Sequence, residues 1–184
     1  MTTILAFDCA TSAGAVAACS DGRAGWRASA SALMELIDEV VDDPRALDAV
    51  VVGTGPGSFT SIRIALATAR GLALALGVPV AGASTLAAFR GGSPVIDARR
   101  GEVFAEGPLV CRPDELDVAG KVLVGDGALR YRALFESSGA TVPAEPERHR
   151  PDPLLLLEHA GPFGAAGAVA PLYVRAPDAT PAGR

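Results

Sequence analysis

The earliest residue in this chain with chemical potential is Asp8, which ends the apolar run Ile4-Leu5-Ala6-Phe7 and is followed by Cys9-Ala10-Thr11-Ser12. An acid at a strand end can hold the metal of a nucleotide through water. The same carboxylate can instead cap the next turn as an exposed acceptor of backbone N–H groups. A second candidate is Gly53-Thr54-Gly55-Pro56-Gly57-Ser58. Its glycines accept backbone angles that other residues resist, and N–H groups converging at a helix N-terminus attract phosphate. Asp8, Thr11, Gly55, Gly57 and Ser58 together make a candidate nucleotide site. The turn lacks the Gly-Lys-Ser/Thr of a Walker A loop, so the lysine that neutralises β- and γ-phosphates is missing. It does not match Gly-x-Gly-x-x-Gly either, and Pro56 removes one donor. The competing reading is a tight turn that only mounts a helix.

Other chemistries are poorly supplied. His149 and His159 show no His-x-x-x-His spacing and no Cys or Asp accompanies them at ligand spacing, so no metal site is expected, and no cofactor is expected. Ser58 has no histidine base, and Gly-x-Ser-x-Gly is absent, which argues against a peptidase. Cys9, Cys19 and Cys111 are scattered and odd in number, as expected of free thiols in a reducing cytoplasm. The net charge of −5 argues against unaided binding of nucleic acid. The N-terminal residues show no basic stretch of a signal peptide, and the longest apolar stretch carries Arg63 and Arg70, so no membrane association is expected.

The elements that must position these residues follow from periodicity. Ile4–Asp8, Ala15–Cys19 and Gly25–Ala28 read as an antiparallel meander, with Asp21-Gly22 as a hairpin signal. Ser31 is expected to cap a helix whose apolar face is Leu33, Leu36, Ile37, Val40 and Val41, ending before Pro44. Val50-Val51-Val52 reads as a strand covered on both faces. Ser58 or Thr60 then caps a long helix running to Leu76, with Gly77 as its C-cap. A strand at 78–83 and a short helix at 84–89 follow. This order is half of an actin-like ATPase, or ribonuclease H-like, α/β fold. The second half reads as strands at 94–97, 102–105 and 121–124, helices at 131–136 and 152–160, a loop at 140–151 and an extended segment at 171–175. Two lobes are expected, 1–92 and a reduced 93–184, with a flexible tail after about 176.

The long helix has two apolar faces when wound at about 3.6 residues per turn. Ile62, Leu66, Ala69, Leu72, Ala73 and Leu76 suit the sheet. Ile64, Ala67, Gly71 and Leu74 lie opposite, flanked by Arg63 and Arg70, and suit a close-packed partner helix.

Several segments carry a family likeness: Ile4-Leu5-Ala6-Phe7-Asp8-Cys9-Ala10-Thr11, Gly55-Pro56-Gly57-Ser58-Phe59-Thr60-Ser61-Ile62-Arg63, Ser84-Thr85-Leu86, Asp97-Ala98-Arg99-Arg100-Gly101-Glu102-Val103-Phe104, Gly125-Asp126-Gly127 and Pro171-Leu172-Tyr173-Val174-Arg175. The chain resembles the TsaB (YeaZ) family along nearly its whole length. Ser61 and Ala65 stand where that family has glycines, and the second half is shorter. The resemblance implies a two-lobed actin-like fold without its own catalysis. It implies pairing with a TsaD-type catalytic subunit, which transfers threonylcarbamoyl to adenosine 37 of tRNAs reading ANN codons, and with a TsaE-type ATPase. It further implies a homodimer through the same helices and contact with tRNA only within the complex. The residues expected to form the partner surface are Met34, Ile37, Val41, Arg63, Ile64, Ala67, Arg70, Gly71 and Leu74. The rival expectation is an actin-like phosphotransferase or ATPase using Asp8 and the Gly53–Ser58 turn.

Overall fold

The computed structural model describes residues 2–107 and 109–175. Its first sheet is assembled from β1 (Ile4–Asp8), β2 (Ala15–Cys19), β3 (Ala24–Arg27), β4 (Ala49–Gly53) and β5 (Val80–Ala83), in the order β3-β2-β1-β4-β5. The meander strands pair antiparallel, whereas β4 pairs parallel with both β1 and β5. All five residues of β4 are buried, as a continuous β-branched run between two covered faces demands. Strand alternation sends Leu5, Phe7, Val50 and Val52 to one face and Ala6, Val51 and Ala81 to the other.

Two helices cover the first face. In α1 (Leu33–Val40), Leu33, Leu36, Ile37 and Val40 point at the sheet. In α2 (Phe59–Leu76), Ile62, Ala65, Leu66, Ala69 and Ala73 do so. By length and composition α2 could cross a membrane; here one flank of it is packed into this core. Ser58 accepts the Ser61 N–H at its start, and Gly77 ends it at φ 70°, a left-handed angle suited to glycine. The expected cap at Ser31 is corrected. Ser29 caps a 3₁₀ turn, Ala30–Ala32, which precedes α1, so that Ala32, without a side-chain acceptor, stands at the α-helix N-cap.

The rest of the chain is made of shorter pieces. β7 (Ile96–Arg99), β8 (Glu102–Ala105) and β9 (Leu109–Cys111) form an antiparallel sheet, while β6 (Ser93–Pro94) pairs parallel with β10 (Leu123–Val124). The strand expected at 94–97 is thus two strands, split at Val95 and joined to different partners. The expected helix at 131–136 becomes α3 (Asp126–Arg130) and α4 (Arg132–Ser137), separated by Tyr131. The expected loop at 140–151 contains a 3₁₀ turn, Pro146–His149, and the helix after it is α5 (Pro153–Glu158), capped by Asp152. Val95, Val103, Leu123, Ala128 and Phe135 fill the core of this half.

Residues from 153 to 172, which lie beyond the expected boundary at 92/93, pack against the first sheet. Leu156 is fully buried against Ala6, Val51 and Ala81 on the second face of the first sheet. Gly164 exchanges two backbone hydrogen bonds with Val80, and the Leu172 N–H donates to the Thr54 carbonyl. The physical reason is that α1 and α2 cover only one face, and the apolar back of β1, β4 and β5 needs its own cover. The flexible tail expected after about 176 lies outside the described residues.

Candidate functional site

Asp8 has no exposed surface. Its Oδ1 accepts the Ala10 N–H at 2.6 Å and its Oδ2 accepts the Thr85 hydroxyl at 2.5 Å. Thr85 Oγ1 in turn accepts the Gly55 N–H at 3.0 Å. Gly53 is glycine because Asp8 lies against it: a Cβ there would sit 1.6 Å from Oδ2. Burial pushes the Asp8 pKa up, against the two hydrogen bonds that lower it. The exposed capping carboxylate of the sequence reading is therefore corrected. This acid ties the end of β1 to the β4 turn and to the 3₁₀ turn Thr85–Ala88.

The glycine turn is committed in the same way. The Ser58 N–H donates to the Ala10 carbonyl at 2.7 Å, and a Cβ on Gly57 would fall 2.3 Å from that oxygen. Ser58 Oγ accepts the Ser61 N–H at 3.4 Å. Thr11 is buried, and its hydroxyl accepts the Ala13 N–H at 3.3 Å. The Gly55 and Ser58 donors that a phosphate would claim are occupied by the protein's own oxygens.

The free flank of α2 is apolar. Ile64 is 38% and Leu74 76% exposed, and Arg63, Ala67 and Gly71 are exposed with them. Nothing lies within 4 Å of a Cβ added at Gly71. Met34 on α1 is also exposed. Ile37 and Val41 are not: both are buried in the core, so their assignment to a partner surface is corrected. α1 is a helix of 8 residues, and its single apolar stripe is used up on the sheet. Arg70 is half-buried and turns to its own chain, donating to the Val169 carbonyl at 2.6 Å. Arg63 stacks 3.8 Å over the Phe59 ring and donates to the Tyr173 hydroxyl at 3.2 Å.

A cleft of about 720 Å³ opens between the glycine turn, the β7–β8 hairpin and residues 172–175. The sequence marks the glycine turn as a candidate nucleotide site but gives the hairpin and residues 172–175 no chemical role. Arg99 and Arg100 in the hairpin adopt φ of 62° and 55°, both left-handed, and both side chains are exposed. That backbone costs an L-residue about 1–2 kcal/mol relative to the right-handed region. The signal that could have found them is Arg-Arg-Gly in a tight hairpin, where asparagine and glycine are the favoured residues. Asp97 and Asp126 also line the cleft. Asp126 accepts the Ser12 N–H and hydroxyl at 2.8 and 2.6 Å and the Asp97 N–H at 3.0 Å. Asp97 accepts the Arg99 N–H at 3.0 Å and pairs with Arg99 and Arg130. Phe59 and Tyr173 stack at 4.8 Å, and Arg175 pairs with Glu102.

His149 is buried with the Gly125 N–H at 3.2 Å from Nδ1 and the Pro143 carbonyl at 2.9 Å from Nε2, which makes it a tie between loops. Among the described residues no three His, Cys, Asp or Glu side chains gather as a metal set.

Comparison with known proteins bears on what these surfaces serve. A family model described as TsaD, tRNA N6-adenosine threonylcarbamoyltransferase, matches residues 24–107. An uncharacterized protein of Mycobacterium tuberculosis, Rv3421c, is 38% identical over 149 residues, covering 73% of this chain and 67% of that one. The tRNA threonylcarbamoyladenosine biosynthesis protein TsaB of Escherichia coli is 33% identical over 121 residues, 55% of this chain and 52% of that protein, so the match spans about half of it. The solved structure of YeaZ from Pseudomonas aeruginosa superposes with a TM-score of 0.77 at 27% identity, covering 95% of this chain and all of that one.

Proposed function

The chain belongs to the TsaB (YeaZ) family, and from that premise we propose that it is a non-catalytic partner subunit in tRNA threonylcarbamoyladenosine synthesis. In this reading it adopts a two-lobed actin-like arrangement, works in the cytoplasm and binds a TsaD-type catalytic subunit. That subunit modifies adenosine 37 of tRNAs reading ANN codons, a TsaE-type ATPase joins the pair, and tRNA is met only within the assembly. The observation that carries the reading is the apolar flank of α2, with Leu74 76% exposed and Gly71 open to a close neighbour. An apolar stripe of this kind on a helix suits a second helix laid against it. A homodimer would use the same flank when the partner is absent.

The rival reading, an actin-like phosphotransferase or ATPase, draws less support. Its acid, Asp8, has no exposed surface, and two donors of its turn are already bonded. The test is co-purification of the chain with the TsaD-type protein of its own organism, followed by depletion of the chain in cells. The expected result is a stable pair and loss of threonylcarbamoyladenosine from bulk tRNA. An unpaired chain, or unchanged modification after depletion, overturns the proposal.

A further inference from the structure

We infer that the cleft between the β7–β8 hairpin and the glycine turn binds a small organic anion, with Arg99 and Arg100 holding its carboxylate or phosphate group. Three observations carry this. First, the cleft's volume of about 720 Å³ suits a small molecule bearing a ring or short chain. Second, its charge runs against that of the protein. Four arginines and two aspartates line it, in a chain of net charge −5. Both aspartates are engaged by the protein's own donors, Asp126 by Ser12 and the Asp97 N–H, Asp97 by the Arg99 N–H and by the Arg99 and Arg130 guanidiniums, while Arg175 pairs with Glu102. Third, Arg99 and Arg100 occupy backbone positions where glycine or asparagine is preferred, and their exposure leaves core packing no part in choosing arginine. Residues kept at unfavourable backbone angles cluster at ligand clamps. A guanidinium presents a planar fork that matches a carboxylate or phosphate. The Phe59–Tyr173 pair, with ring centroids 4.8 Å apart and also lining the cleft, supplies an apolar surface for the rest of the molecule.

The inference does not rest on the α2 flank and stands or falls apart from it. It is tested by NMR titration of the full chain with phenyl phosphate and with benzoate, which separate the two anionic groups, and with benzyl alcohol as the neutral control. Saturable shifts are expected at the Ser12, Phe59, Arg99 and Arg100 amides with at least one anion and not with the alcohol. Arg99→Gly/Arg100→Gly should weaken binding at least tenfold while the Tm holds or rises, because glycine is at ease at these angles. Arg100→Gln, which keeps a side chain on the same backbone, should weaken it at least threefold. Non-saturable shifts, an equal response to benzyl alcohol, unchanged affinity in the variants, or binding to a duplex RNA but to neither small anion would each overturn the inference.

Discussion

At the end of β1, Asp8 is held by two donors and has no exposed surface, so its charge is costly wherever the carboxylate is ionised. Its pKa is raised above the ordinary 3.8 in the folded state. A group raised in this way contributes its full stability below the unfolded value and loses it as pH rises through the folded one. Wild type should therefore lose stability relative to Asp8→Asn as pH is raised through that window. Thermal melts of both proteins from about pH 4 to pH 8 check this, and a flat difference contradicts it. Next door, burial and then the Asp8 charge push the Cys9 thiol up to about 12. Its Sγ–H donates to the Ser61 carbonyl at 3.2 Å. Maleimide at about pH 8 should leave Cys9 unlabelled in the native protein and label it fully after unfolding, as read by mass spectrometry. The sequence places Asp8 correctly at a strand end but cannot reveal its burial, because Thr85, the donor that closes over it, is 77 residues away.

At the scale of elements, α2 was legible almost residue by residue. Its Ser58 cap, its Gly77 stop and its sheet-facing residues all carry local chemical reasons. Its outer flank yields a separable prediction. Leu74→Glu changes a group with open surroundings and should alter monomer stability by less than about 0.5 kcal/mol, while Gly71→Glu should leave the monomer as stable or up to about 1 kcal/mol more stable, because glycine is a poor helix former. Each should weaken association with the TsaD-type partner by at least about tenfold, because a charge would be buried unpaired. Sedimentation velocity of the mixed proteins decides it, and a retained complex sinks the assignment of this flank. The short elements were not legible in the same way. β6 and β10 have two residues each and exist as strands through their pairing, Ser93 with Leu123 and Pro94 with Val124. No two-residue window carries a period. Ile37 and Val41 show the opposite error, in which a correctly read apolar stripe was assigned to two surfaces at once.

Across the whole molecule, the first sheet is sandwiched between helices that are distant in sequence, α1 and α2 on one side and α5 on the other. Leu156→Ala, at a fully buried position, should cost about 2–5 kcal/mol in chemical denaturation. A chain ending at residue 150 would leave Ala6, Val51 and Ala81 without their cover and should bind a hydrophobic dye that the full chain ignores. The helix at 152–160 is visible in the sequence through its apolar run, Leu154 to Leu157, but its destination is not. Local pattern identifies an apolar face without identifying which other face will meet it.

The position of α5 has a temporal consequence. A chain made from its N-terminus presents the meander, β4 and β5 long before Leu156 is synthesised. The first sheet can pair its strands and gather α1 and α2 while translation continues, yet one side of it stays bare. Until α5 leaves the ribosome, the nascent protein exposes an alanine-rich apolar surface of the kind that chaperones hold. Codon changes or stalls at any point before residues 153–158 have left the ribosome should therefore prolong this vulnerable interval.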